Sequence, residues 1–197
     1  MSARIFLLTL SIFLPFLAQA QSPKMVKTKV NDYISLLLPS DFALMPAEEY
    51  ARRFGAYRPP LAMYQNQDGN VHFGINQSQN RSLRAYAEAD FKAEDLEMLK
   101  GMYKASIAAM HTEVNFLQDK VINLNKRDYI VLEFVGLVKD EDNAFGSGKV
   151  LRQYSYLMYT VEKDQVLVFN FTCPQLIQQK WAPVAQQIMQ SLKVGLF

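Results

Sequence analysis

The chain has 197 residues, and its 21 Lys plus Arg against 19 Asp plus Glu give a net charge of +2. That balance lacks the basic excess of a nucleic-acid carrier. A single cysteine excludes an intramolecular disulfide, so the fold has to rest on packing.

Residues 1–20, MSARIFLLTLSIFLPFLAQA, carry one charge, Arg4, ahead of a mostly apolar run from Ile5 to Leu17. Ala18-Gln19-Ala20 then supplies the small-polar-small pattern of a signal peptidase site. The segment reads as a cleavable signal peptide, cut after Ala20, and is set aside from the fold. It is short for a membrane anchor, since spanning takes about 20 apolar residues. Gln21, not a cysteine, directly follows the cleavage point, so no N-terminal lipid attachment is expected. The expected product is secreted or periplasmic and does not span a membrane.

Residues 21–30 contain the polar, basic run SPKMVKTKV and read as a flexible lead-in; 31–197 read as one domain. YISLLL, 33–38, is a strand stopped by Pro39. Two further strands, LAMYQN at 61–66 and NVHFGINQ at 70–77, flank an Asp68-Gly69 turn, a hairpin signal. Val71, Phe73 and Ile75 alternate with His72, Gly74 and Asn76, which puts His72 on the less apolar face.

Residues 82–110 read as helical. Leu96, Leu99, Tyr103, Ile107 and Met110 form one stripe, and a kink is expected near Lys92 to Asp95. Gly101 costs the helix up to about 1 kcal/mol relative to Ala, and suggests the close approach of a neighbour. Four strands follow, at 114–124, 128–138, 149–161 and 165–173. In DYIVLEFVGLV both faces are apolar, as expected of a strand covered on both sides. Residues 174–194 read as a closing helix re-started at Pro183, with Trp181, Val184, Ile188 and Leu192 as its stripe. The expected fold is α+β: an α/β/α sandwich whose mostly antiparallel sheet of about six or seven strands is covered by helices on both faces.

This order of elements resembles the PsbP/Mog-like superfamily. The features that carry the resemblance are the early strand ending in SLLLPSDF, the hairpin and long helix, the long antiparallel strands, Cys173-Pro174, and the closing QSLKV. The superfamily includes the PsbP subunits of photosystem II, a Ran-binding nuclear import factor and bacterial periplasmic proteins of the DcrB type. The resemblance covers residues 31–194 and implies a binding or accessory module. It supplies no catalytic, cofactor-binding or metal-binding residues to carry over, so a non-enzymatic protein is expected.

The residues themselves offer few chemical sites. Cys173 shares strand parity with Leu167, Phe169 and Phe171, so it is expected in the core rather than as a nucleophile or an intermolecular bridge. His72 and His111 show no metal-ligand spacing, and His111 suits a helix C-terminus. Asp140, Glu141 and Asp142 open a loop that runs into Gly146-Ser147-Gly148. A cation there is an open alternative, but the spacing is not that of an EF-hand and a solvated hairpin tip is expected. The candidate partner-binding segment is YARRFGAYRPP at 50–60, with Tyr50, Arg52, Arg53, Tyr57 and Arg58. Tyrosine and arginine are enriched at binding hot spots, and functional residues concentrate on loops. The expected partner is a protein or an envelope component. The alternative is a metal- or small-ligand-binding protein, or an enzyme whose site the sequence does not display.

Overall fold

The computed structural model describes residues 23–55, 59–80, 83, 93–139, 150–162 and 164–196. In chain order the elements are β1 Met25–Lys29, β2 Ile34–Pro39, β3 Ala43–Leu44, α1 Ala47–Phe54, β4 Ala62–Gln65 and β5 His72–Gln79. Then come α2 Ala93–Met110, β6 Glu113–Leu124, β7 Arg127–Lys139, β8 Val150–Glu162 and β9 Gln165–Pro174. A 3-10 turn, Gln175–Ile177, leads into α3 Gln178–Gln190, and β10 Lys193–Val194 follows.

Seven strands form one antiparallel sheet in the order β3-β4-β5-β9-β8-β7-β6. β1, β2 and β10 form a second, three-stranded sheet. The fold is thus the expected α+β sandwich, with one cover more composite than a helix. On one face of the large sheet, Leu132 and Phe134 of β7 pack with Leu96, Leu99 and Ile107 of α2. On the other, Phe169, Phe171 and Tyr154 pack with Trp181 and Ile188 of α3 and with Ile34, Leu36 and Leu38 of β2. The continuous apolar run of β7 is explained by this arrangement: residues 129–136 are all buried, because successive side chains enter different cores.

Hairpin turns follow their residues. Asn125 and Lys126 both have positive φ, 54° and 65°, the left-handed pair that lets a two-residue turn join twisted strands. In the β4–β5 turn the buried Asn66 accepts hydrogen bonds from the backbone N–H groups of Asn70 and Val71, each at 3.0 Å. Gly69 supplies the positive φ of 66° that closes this turn.

Four expectations are corrected. The flexible lead-in is strand β1 over Met25–Lys29, paired along its length with β2. Its lysines lie on the open side of the small sheet, as befits an edge strand, so solvated charge there does not oppose strand formation. The first expected strand, now β2, belongs to this second sheet rather than to the large one, whose outer strand is the two-residue β3. Helix α3 runs through Pro183 instead of starting there. Near the helix N-terminus the proline removes only its hydrogen bond to the Gln179 carbonyl, and the buried face of Trp181, Val184, Ala185, Ile188 and Met189 holds the helix together. Among the described residues nothing lies within 4 Å of a Cβ at Gly101, so none of them makes the expected close approach. Of the expected helix 82–110, Ala93–Met110 is helical and most of the earlier part lies outside the described residues.

Candidate functional site

Tyr50, Arg52 and Arg53 stand on α1, an eight-residue helix lying between β3 and β4. Tyr57 and Arg58 lie outside the described residues. Glu48 and Glu49 occupy the first turn of α1 and Arg52 and Arg53 the last, the order that suits the helix dipole. Gly55 ends the helix with φ 57° and donates its N–H to the Ala51 carbonyl. No residue of α1 is buried. A free helix this short is marginal in water, so its attachments decide whether it forms.

Those attachments involve the candidate residues. The Arg53 guanidinium pairs with Glu49 at 2.8 Å and donates to the Gln65 side chain at 3.3 Å and the Gly69 carbonyl at 3.4 Å. Gln65 in turn donates to Glu49 at 3.2 Å. Arg53 therefore fastens α1 to the β4–β5 hairpin. Tyr50 stacks near Phe54 at 5.0 Å, and Phe54 meets the His72 ring edge-on at 6.0 Å. Burial lowers the pKa of His72, and the nearby Arg53 charge lowers it further while Glu49 opposes the shift. Its Nε2 is buried without a hydrogen-bond partner among the described residues. Arg52 and Arg53 are both exposed, but Arg52 makes none of these bonds.

Beside α1 runs an apolar groove of about 240 Å³, with Leu44, Pro46, Tyr50, Pro60, Leu61 and Met63 among its walls. Leu44 is 60% exposed and Leu61 43%, large values for leucines flanking one surface. The groove thus sets exposed apolar residues of β3 and the β4 approach next to a helix whose other residues include Glu48, Glu49, Arg52 and Arg53.

Cys173 is buried in the core with Leu167, Phe169 and Phe171, as its parity predicts. Burial pushes its thiol up to about 12, the opposite of what a nucleophile needs. His111 ends α2 as expected: its Nδ1–H donates to the Ile107 carbonyl at 2.8 Å. Its ring also lies over Gly136, where a Cβ would come within 2.3 Å of the imidazole. Among the described residues, no three His, Cys, Asp or Glu side chains gather closely enough to hold a metal ion. Asp140, Glu141 and Asp142 lie outside the described residues. No described helix is long and apolar enough to cross a membrane.

Sequence reasoning missed one buried polar pair. Tyr154 donates to the Glu133 carboxyl at 2.7 Å, and both residues are buried. Burial, the bond to Glu133 and its charge all push the Tyr154 hydroxyl upward. The signal was present in the sequence: Glu133 falls on the parity of Tyr129, Val131 and Val135 and is the acid in an otherwise apolar strand face. The pair joins neighbouring strands β7 and β8 inside the core.

No family model matches the chain, and no curated protein matches it. Solved structures do. The solution structure of cyanobacterial PsbP, CyanoP, from Synechocystis superposes with a TM-score of 0.55 at 10% identity, covering 87% of this chain and 92% of that one. The Ran-binding protein Mog1p of Saccharomyces cerevisiae gives a TM-score of 0.52 at 11% identity, with 88% and 96% covered. LpqN of Mycobacterium tuberculosis, described as involved in cell envelope biogenesis, gives 0.50 at 13% identity, with 87% and 90% covered. The chain has the PsbP/Mog-like fold. At these identities the likeness extends to architecture, with function left to the surface.

Proposed function

We propose that this protein is a non-enzymatic accessory module, exported by residues 1–20 to the periplasm or the cell exterior, that acts by contacting another protein. The observation that carries this reading is the apolar groove at α1, where Leu44 and Leu61 are largely exposed and Tyr50 forms part of the wall, on a helix that also carries Glu48, Glu49, Arg52 and Arg53. Exposed apolar area rimmed by charge is the usual form of a protein-contact patch. The fold is compatible with such a role. One structure of this architecture is a Ran-binding protein and another is involved in cell envelope biogenesis. The contact residues are Tyr50, Arg52, Tyr57 and Arg58, with Arg53 holding α1 in place as well as adding charge.

The test is crosslinking in the native envelope with mass-spectrometric identification of what is captured. A Leu44→Asp, Arg52→Ala variant should lose a partner that the unaltered protein captures reproducibly. Arg53→Ala should lose it as well, through loss of α1 anchoring. Capture of the same partner at the same yield by the double variant would refute the assignment of this edge. Export is checked separately by N-terminal sequencing of the extracytoplasmic protein, which should begin at Gln21.

A further inference from the structure

The small sheet carries a second surface, away from α1. On its open face, strand register puts Lys29 of β1 and Lys193 of β10 on either side of Ser35 of β2. Lys27 lies opposite Leu37 on the same face. Neighbouring strands are about 4.8 Å apart, so the backbones of Lys29 and Lys193 stand about 10 Å apart across Ser35. Lysine side chains reach far enough for both ammonium groups to meet above the serine hydroxyl. Lys27 is two residues along β1, about 7 Å away.

This face is concave. A groove of about 700 Å³ is lined by Lys27, Lys29, Ser35, Asn125 and Lys193 among others. A smaller hollow of about 350 Å³ shares Lys27, Ser35, Asn125 and Lys193 and extends over Leu37 to Ser191. Asn125 is fixed by donating to the Leu192 carbonyl at 2.8 Å, so that wall is rigid. One acid stands at the rim: Asp32 pairs with Lys29 at 2.8 Å. Lys27 and Lys193 have no carboxylate partner among the described residues. Like charges facing one another across strands are unfavourable, and a bound anion reverses the sign of that term.

We propose that this groove binds a phosphate group, held by the ammonium groups of Lys27, Lys29 and Lys193 with the Ser35 hydroxyl as a further donor. Three cations and one carboxylate leave a local excess that a phosphate dianion matches better than a single carboxylate. Lysine binds phosphate as a point charge, so no fork geometry is required. The half-buried Leu37, on the same face as Lys27, offers an apolar surface to the carbon part of a phosphate ester. The phosphate can belong to an anionic lipid headgroup or to a soluble ester, and the test separates them.

Inorganic phosphate is titrated into the exported protein at low salt, with backbone amide shifts read by NMR. Vesicles of phosphatidylcholine, with and without phosphatidylglycerol, are co-sedimented with the same protein. The expected result is saturable shifts at Lys27, Lys29, Ser35 and Lys193. Affinity should fall at least tenfold in Lys27→Gln, Lys193→Gln and remain unchanged in Lys120→Gln, a lysine of β6. Both altered lysines are exposed, and unshifted amides elsewhere will verify that the variant is folded. Binding should also weaken as salt screens the site. Retention on phosphatidylglycerol vesicles that the double variant loses assigns a lipid source. Saturable phosphate binding without retention assigns a soluble one. Absence of both kinds of binding overturns the proposal. So does equal weakening by Lys120→Gln, or polyglutamate binding at this face as tightly as phosphate. Partner capture at the α1 edge is a separate readout, so each reading can fail alone.

Discussion

Helices α3 and α2 cover opposite faces of the same sheet and are held there in different ways. α3 inserts Trp181, Val184, Ile188 and Met189 into a continuous core that also contains β2. Trp181 lies 5.7 Å from the Phe42 ring and 6.2 Å from that of Phe171. α2 buries Leu96, Leu99 and Ile107, yet leaves Met102 and Met110 60% and 68% exposed. It is fastened at separate points. Lys104 pairs with Asp119 and lies over the Phe116 ring, Tyr103 stacks on Tyr159 at 4.4 Å, and His111 closes the last turn. The contrast teaches that a clear apolar stripe in sequence reports on attachment only when the remaining faces are polar. α3 satisfies that condition. α2 also sets Met98 and Met102 among its charged residues, outside the stripe, so the stripe understates how much apolar surface it leaves in water.

Trp181→Ala should cost the most, about 3–5 kcal/mol in urea denaturation, because it empties the centre of the α3 core. Leu99→Ala should cost less. If the two costs were reversed, the ranking of the two attachments would be wrong. Gly136→Ala should follow at about 1–3 kcal/mol, since the new methyl meets the imidazole that closes α2. Adding His111→Ala should return most of that loss, and a double-mutant cycle with no coupling would reject the contact as its origin.

Alkaline pH should weaken the α3 core through its buried weak acids. Burial raises Cys173, Tyr129 and Tyr156 each to about 12, above the values that they have in an unfolded chain. Groups raised on folding stabilise fully below their unfolded pKa and lose that contribution as pH rises towards the folded value. The loss should begin near pH 9 for the thiol and pH 10 for the phenols, and each group contributes at most about 1.4 kcal/mol per pH unit. Urea midpoints at pH 7, 9 and 10 measure it, and a Cys173→Ala variant should fall less between 9 and 10.

Smaller still is the effect at α1. His72 is lowered, chiefly by burial and then by Arg53, so the unfolded chain binds its proton more readily. Stability from this group is complete above the unfolded value near 6.5 and declines as pH falls from there towards the folded pKa. NMR titration should find His72 below 6.5, and Arg53→Ala should raise it. No rise would detach Arg53 from the histidine's electrostatics. Smallest is Met102→Gln on the open face of α2, expected within about 0.5 kcal/mol of the unaltered protein. A larger loss would mean that this face is covered in solution.

Much of the architecture could be read from local pattern, because period-2 alternation at 71–75 and the stripe of α3 each report on a single element. β1 escaped because its lysines hide a strand whose pairing is visible only across the sheet. α1 escaped although Ala47, Tyr50, Ala51 and Phe54 recur at helical spacing, because the run is only eight residues long and its aromatic and arginine residues read as a surface segment. The candidate site was legible as residue types and not as roles. Nothing local distinguishes Arg52 from Arg53, whose partners include Gly69, sixteen residues away. The lysine groove likewise needs Lys193 beside Ser35, a neighbour that only the closed fold supplies.

The large sheet ends on one side in β3, of two residues, and on the other in β6, of twelve. A long outer strand is a template on which a second molecule can add its own strand. β6 breaks that template from within. Pairing passes from Phe116–Phe134 to Gln118–Glu133, which leaves Leu117 as an extra, half-exposed residue that bends the strand. A straight strand from a neighbouring chain cannot follow that bend in register. Bulges of this kind are one of the devices by which a long outer strand is made a poorer template for a neighbour's strand.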